Sequence, residues 1–402
     1  MTNAKRLGLQ IALLLITFVT TTLAGAEWMH ALPLDRMSWE QVLGGTEYSI
    51  PFLLILTFHE FGHYFTARYY KIGVTLPYYI PMYLGSLFIS LGTFGAFIRI
   101  KEEIKTRQEY FDVGIAGPLA GFVVALAVLF YGFTHLPDPE YVYEIHPEYE
   151  SFGLDYEVLY DMDTVLYKKD FVNPDRMNYN ASRDSVRYYK DGISITIGSN
   201  LLFYLMKEYV VEDKSLIPND HEIMHYPLLL AGYLALFFTA INLFPIGQLD
   251  GGHIVFGLFG QRYHAIISKT AFMAFLFYTG LGVISPQGMV GTSTGSVMFF
   301  LFSIVAYVYF LFICLYRTFE DVKERWLAAT IIMSVQFAVT SLFHLEFTGG
   351  MLLFALLIGR FLGTEHPGTS EDKPLNAARV ALGVIALIVF VLSYCPEIFI
   401  VT

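Results

Sequence analysis

Apolar stretches long enough to cross a bilayer recur along the whole chain, at about 8–25, 49–67, 110–133, 226–246, 268–285, 297–316, 326–345, 349–363 and 377–396. No other feature limits the fold as strongly. A hydrocarbon layer about 30 Å thick takes roughly 20 helical residues to span, and inside it every backbone polar group must be satisfied internally. Composition agrees: of 402 residues, 55% are hydrophobic and 15% charged, against about 25% charged in an ordinary soluble domain. The expected fold class is an all-α polytopic membrane protein with about eight or nine transmembrane helices.

Basic residues orient the set, because short loops rich in Lys and Arg stay on the cytoplasmic side. Lys5 and Arg6 precede the first stretch, and Arg68, Lys71, Arg99, Lys101, Lys105 and Arg107 lie between the second and third. Arg262 and Lys269, then Arg317, Lys323 and Arg325, then Arg360, Lys373 and Arg379 continue the alternation, whereas 286–296 is uncharged. Residues 8–25 resemble a signal sequence, but the apolar run is long, so an uncleaved first span is expected. The formal charge of -11 is local: segment 135–225 holds 18 Asp and Glu against 8 Lys and Arg, leaving 18 against 17 elsewhere. That acidic segment is expected outside, as a mixed or partly ordered cap without a convincing strand set. The expected organisation is a membrane core at 1–134, the outer segment at 135–225, more core at 226–262 and additional transmembrane helices at 263–402.

Residues 75–98 do not fit the helical scheme. Pro77, Pro81, Gly85, Gly92 and Gly95 interrupt them, and Lys71 and Arg99 flank them on one side of the membrane. Irregular backbone at membrane depth survives only when packed in protein or lining a wet cavity, and Thr93 to Ile100 is rich in aromatic and branched residues. A re-entrant loop resembling a β-hairpin beside a cavity is expected, with a distorted spanning helix as the alternative.

The second stretch contains His59-Glu60-Phe61-Gly62-His63. On a helix, residues four apart share a face, so both imidazoles can bind one Zn²⁺ while Glu60 serves as general base toward the attacking water. Ionisable groups at membrane depth cost a few kcal/mol each and are rarely there without a function. Catalytic zinc takes three protein ligands, and the third candidate is Asp250, at the inner end of the fourth stretch, where Pro245, Gly247, Gly251 and Gly252 must break the helix.

His59-Glu60-x-x-His63 together with Asn242-Leu-Phe-Pro245-Ile-Gly247-Gln-Leu-Asp250-Gly251 resembles the paired signature of the site-2 protease family, intramembrane zinc metalloproteases with HExxH and N-x-x-P-x-x-x-x-D-G motifs. Gly114-Ile-Ala-Gly117-Pro118-Leu-Ala-Gly121 is similar to that family's glycine-rich core helix, and Gly92-Thr-Phe-Gly95 to its stretch after the first motif. The resemblance covers about 49–133 and 226–260. It implies one zinc ion held by His59, His63 and Asp250, with Glu60 activating water and Asn242 steadying substrate or the developing oxyanion. It also implies that 75–100 pairs with an unwound transmembrane segment of a single-span or other membrane-protein substrate, in regulated intramembrane proteolysis.

Gly114, Gly117 and Gly121 read independently as a close-packing stripe. His253 reads as polarity near the site, His225 as the outer boundary of the fourth stretch, His344 and His366 as interfacial, and Trp28, Trp39 and Trp326 as interface anchors. Cys314 and Cys395 lie far apart in apolar runs and suit core packing. No phosphate loop or basic stripe appears, which argues against nucleotide or nucleic acid as partners. A metal transporter would also bury His and Asp, but inverted repeats are not evident. The basic loops fit a bacterial inner membrane with the site toward the cytoplasm, and an organellar membrane is the alternative.

Overall fold

The computed structural model describes residues 3–85, 90–151, 153, 156, 164–168, 177–180, 185–189, 195–286, 294–345 and 351–401. Eleven α-helices dominate them: α1 Asn3–His30, α2 Trp39–Gly44, α3 Thr46–Tyr69, α4 Arg107–Thr134, α5 Leu201–Tyr209, α6 Pro227–Asn242, α7 Asp250–Thr279, α8 Thr294–Cys314, α9 Val322–Phe343, α10 Leu352–Leu357 and α11 Ala377–Ser393, with a π-helical turn at Ile358–Leu362 continuing α10. Seven short strands accompany them: β1 Tyr78–Pro81, β2 Thr93–Phe97, β3 Thr164–Lys168, β4 Met177–Asn180, β5 Ser185–Tyr189, β6 Ile195–Ile197 and β7 Phe399–Val401. Each apolar stretch of the sequence falls largely within a helix. Four helical segments, in α1, α4, α8 and α9, are long and apolar enough to cross a membrane, and three shorter apolar helices occupy 227–242, 352–362 and 377–393. Most of the uncharged 286–296 turn lies outside the described residues.

The side-chain pattern is that of a protein solvated by lipid. Along α1 the buried positions include Thr17, Thr21 and Thr22, whereas Leu15, Ile16 and Val19 face outward. In water that arrangement would expose apolar surface and hide hydroxyls; in hydrocarbon it places the polar atoms where they find partners. Thr22 Oγ1 lies 2.9 Å from Ser49 Oγ on α3, Thr21 Oγ1 donates to the Thr17 carbonyl at 2.7 Å, and Thr20 Oγ1 donates to the Gly92 carbonyl at 2.7 Å. On α8, Met298, Phe299, Leu301, Phe302 and Val305 are likewise exposed.

Helices α3, α4, α6 and α7 form the centre. Helix α6 carries no charged residue and buries Leu230, Tyr233, Leu234, Leu236 and Phe237 around its whole circumference, the pattern of a helix enclosed on all sides. Three glycines let neighbours approach: a Cβ at Gly62 would lie 2.5 Å from the Ala116 carbonyl oxygen, one at Gly132 3.0 Å from Leu229, and one at Gly257 2.6 Å from the Phe111 Cβ. Cys314 and Cys395 are both buried free thiols.

Strands β1 and β2 pair antiparallel, with Tyr78 opposite Phe97 and Tyr79 opposite Ala96. The stretch expected to be re-entrant thus holds a two-stranded antiparallel sheet, and 86–89 lie outside the described residues. Helix α1 holds it: Gln10 donates to the Leu76 carbonyl at 2.5 Å, and Trp28 Nε1 donates to the Ser90 carbonyl at 2.8 Å. Trp28 is thus buried and stacks on Phe399 at 5.4 Å, a packing peg and not the interfacial anchor expected of it. Trp39 and Trp326 are exposed.

The acidic segment contains more regular structure than its sequence announced. Strands β3, β5 and β4 form a three-stranded antiparallel sheet, and β6 pairs with β7 near the far end of the chain. Strands β3, β4 and β5 pair locally, whereas β6, whose Ile195-Thr-Ile197 alternates, pairs with a strand far away in the chain that local patterning cannot name. Much of 152–194 lies outside the described residues.

Candidate metal centre

Helix α3 carries His59 and His63 one turn apart on its inner face, with Glu60 beside them, and all three side chains are buried. Asp250 arrives from α7. Helix α6 ends at Asn242, the chain turns through 243–249, and Asp250 opens α7. Gly247 takes a left-handed φ of 53°, and Cβ atoms at Gly251 or Gly252 would collide with the Leu243 and Gly247 carbonyl oxygens. The glycines around Asp250 therefore let the first turn of α7 fold back against the preceding turn, which sets the depth of the carboxylate.

His59 Nε2 and His63 Nε2 are 3.1 Å apart, and each lies 3.3 Å from Asp250 Oδ2. Ligand atoms about 2.0–2.1 Å from a tetrahedral zinc sit about 3.3 Å from one another. The three donors have that spacing, and their chemistry, two imidazoles and a carboxylate, suits zinc. His63 Nδ1 donates to the Val113 carbonyl of α4 at 2.7 Å, which leaves the lone pair on Nε2 facing the donor cluster. Asn242 Nδ2 lies 3.4 Å from His59 Nε2. All five residues singled out by the motifs thus converge from α3, α6 and α7.

The glycine stripe of α4 is what makes room. A Cβ at Gly117 would overlap the His63 ring, one at Gly121 would come within 3.0 Å of the His59 Cβ, and one at Gly114 within 2.6 Å of the His253 Cβ. The stripe is a packing surface, as its spacing implied, but its neighbours are the imidazoles themselves.

A cavity of about 230 Å³ opens at the cluster. His59, Glu60, His63, Asn242 and Asp250 line it on one side, and Ala96, Phe97 and Ile98, at the end of β2 and just beyond, line it on another. Two further histidines meet beside the site, His253 in the first turn of α7 and His366 in the connection before α11. His253 Nδ1 is 2.7 Å from His366 Nε2, and His366 is buried, stacked on Phe256 at 4.0 Å. His366 is not interfacial, then: the 363–376 connection folds back under the site. Nothing in Glu365-His366-Pro367 signals this, since only the tertiary path of the connection supplies the neighbour.

A family model for Peptidase family M50, the site-2 protease family, matches residues 47–284, more than half of the chain. The chain belongs to that family. The match takes in α3, both strands of the hairpin, α4, α6 and α7, so every residue of the cluster lies within the M50 region. Among curated proteins, the chain is 27% identical over 208 residues to the probable chloroplastic zinc metalloprotease EGY1 of Arabidopsis thaliana, covering 52% of this chain and 28% of the relative. It is 27% identical over 217 residues to the probable chloroplastic zinc metalloprotease EGY2 of Oryza sativa subsp. indica, covering 54% and 30%. It is 24% identical over 249 residues to EGY2 of Arabidopsis thaliana, covering 58% and 35%. This M50 peptidase thus spans about a third of the length of the curated relatives it matches. No solved structure matches it.

Proposed function

We propose that the protein is an intramembrane zinc endopeptidase that hydrolyses peptide bonds within or next to transmembrane segments of other membrane proteins. The observation that carries this is the juxtaposition of three donor atoms at tetrahedral zinc spacing with a buried carboxylate, Glu60, in a cavity walled by a strand. Membership of the M50 family and the zinc metalloprotease relatives support it.

His59, His63 and Asp250 would hold the ion. When bound, zinc polarises a carbonyl and lowers the pKa of a coordinated water. The chain's own groups do the rest. Glu60, in the same cavity, accepts the proton of the attacking water and returns it to the leaving amine. Asn242 directs its amide into the cavity from the end of α6 and donates to the developing oxyanion. A helical substrate shields its peptide bonds, so it must be extended first. Strand β2 has β1 on one side, and its other edge is the feature that could hold an extended segment by main-chain hydrogen bonds. Substrates with a glycine or proline at the cut should be cleaved faster than leucine-rich versions, because less helix has to be undone.

In this reading α3, α6, α7 and α11 also cross or enter the bilayer, the hairpin is re-entrant, and the site faces the cytoplasm of a bacterial inner membrane. The basic ends of the short loops support that orientation. The test is to incubate wild type and Glu60→Gln in detergent with a library of single-span proteins, with and without a chelator, and to map cut ends by mass spectrometry. Wild type alone should cut, the chelator should stop it, and Glu60→Gln should retain zinc while losing roughly 10²–10⁴-fold in rate. Undiminished cutting by Glu60→Gln would remove Glu60 from the mechanism.

A further inference from the structure

A second cluster with the same donor set lies at the opposite end of α6. His146 Nε2 and His225 Nε2 are 3.2 Å apart, and the Glu222 Oε2 oxygen lies 3.4 Å from His225 Nε2 and 3.8 Å from His146 Nε2. The catalytic cluster shows 3.1, 3.3 and 3.3 Å for the corresponding separations. Both sets are near the ~3.3 Å edge of a zinc tetrahedron. Glu222 and His225 are each 2% exposed, and His146 is on the more open side. His225 is two residues before α6, whose 16 residues rise about 24 Å, so the two clusters are separate centres.

The surroundings hold each donor in place. A 3-10 turn over Ile223–His225 brings Glu222 and His225 to one side, with the His225 amide donating to the Glu222 carbonyl at 2.9 Å. His225 Nδ1 is 3.1 Å from the Met29 carbonyl at the end of α1. A carbonyl only accepts, so that nitrogen carries the hydrogen and Nε2 presents its lone pair to the cluster. The same device orients His63. Tyr149 donates its hydroxyl to Glu222 Oε1 at 3.1 Å, which turns Oε2 inward, and the His146 ring stacks on Tyr149 at 4.7 Å. In the neutral ring, His225 Nε2 and the Glu222 carboxylate are both acceptors facing each other at 3.4 Å. That spacing is one at which a shared cation can take a lone pair from each, together with His146.

We propose that His146, Glu222 and His225 form a second zinc site, structural in character, that ties the outer segment to the ends of α1 and α6. His146 comes from a stretch far in sequence from the turn that carries Glu222 and His225, and Met29 contributes the supporting carbonyl. The bound ion takes its fourth ligand from water on the side of His146. By bracing the first turn of α6, the site steadies the helix whose other end presents Asn242.

Zinc content per chain tests this directly, without reference to proteolysis. The full-length protein, purified in detergent, is equilibrated with zinc, passed over a chelating resin and measured by mass spectrometry of the metal. Wild type should carry two ions. The variant His59→Ala/His63→Ala/Asp250→Ala leaves the outer cluster untouched and should carry one, and adding His146→Gln should bring it to none. His146→Gln alone should carry one. Cobalt in the triple variant should give the visible absorption of a tetrahedral site. If the triple variant elutes as a folded species and holds no zinc, or if His146→Gln keeps both ions, the second site does not exist.

Discussion

Gly117 shows how much of the centre is decided by an atom that is absent. Its missing Cβ is the space occupied by the His63 ring, so Gly117→Ala should push the imidazole away from Asp250 although it adds one methyl group to a helix that tolerates alanine well. The expected result is a folded protein with at least tenfold weaker zinc binding, read by competition with a chelator. Gly121→Ala, whose Cβ would stop 3.0 Å from the His59 Cβ, should have a smaller effect. The glycines were legible as a small-residue stripe, and His59, Glu60 and His63 as a helical metal motif. That the stripe and the motif face each other was not, because periodicity specifies a face without specifying what covers it.

Among the elements, the hairpin and α11 teach opposite lessons. Prolines and glycines ruled out a regular helix over 75–98, and the aromatic and branched content of 93–100 anticipated β2, so local chemistry sufficed. The anchoring of α11 had no local sign. Arg379 donates to both carboxylate oxygens of Asp112 on α4, Nε to Oδ1 at 2.8 Å and Nη2 to Oδ2 at 2.7 Å, and Tyr70 joins them. Asp112 precedes Val113, the residue whose carbonyl orients His63. Both side chains keep some exposure, so Arg379→Gln should cost about 1 kcal/mol, the upper range for a partly exposed pair. A lower thermal midpoint with zinc stoichiometry unchanged would show it. A shift to α7 is equally invisible in sequence: Gly260 has a φ of 78°, a non-helical break where Arg107 Nη1 lies 3.3 Å from an added Cβ.

At the scale of the whole molecule, β7 ties Phe399–Val401 to the acidic segment. β7 pairs with β6, with Ile400 opposite Thr196, and Phe399 stacks on Trp28. A proline removes a strand donor, so Ile400→Pro should leave the membrane helices intact while raising the rate of limited proteolysis in 195–225. Chelation is the complementary test. It should abolish cleavage in the wild type, and returned zinc should restore it, because α3 and α7, which carry the donor side chains, are each packed closely against α4.

The sequence by itself determined the lipid-solvated helical character, the confinement of the acidity to 135–225 and the placing of His59 and His63 on one helical face, because each rests on local composition or on a spacing of four residues. With the help of a paired motif it also pointed to Asp250 and Asn242. Tertiary structure alone decided what stands next to them: the α4 glycines behind the imidazoles, His366 beneath α7, Arg379 on Asp112, and the meeting of His146 with Glu222 and His225. Those neighbours are brought together by packing between elements distant in the chain, and side-chain periodicity carries no information about which distant face will arrive.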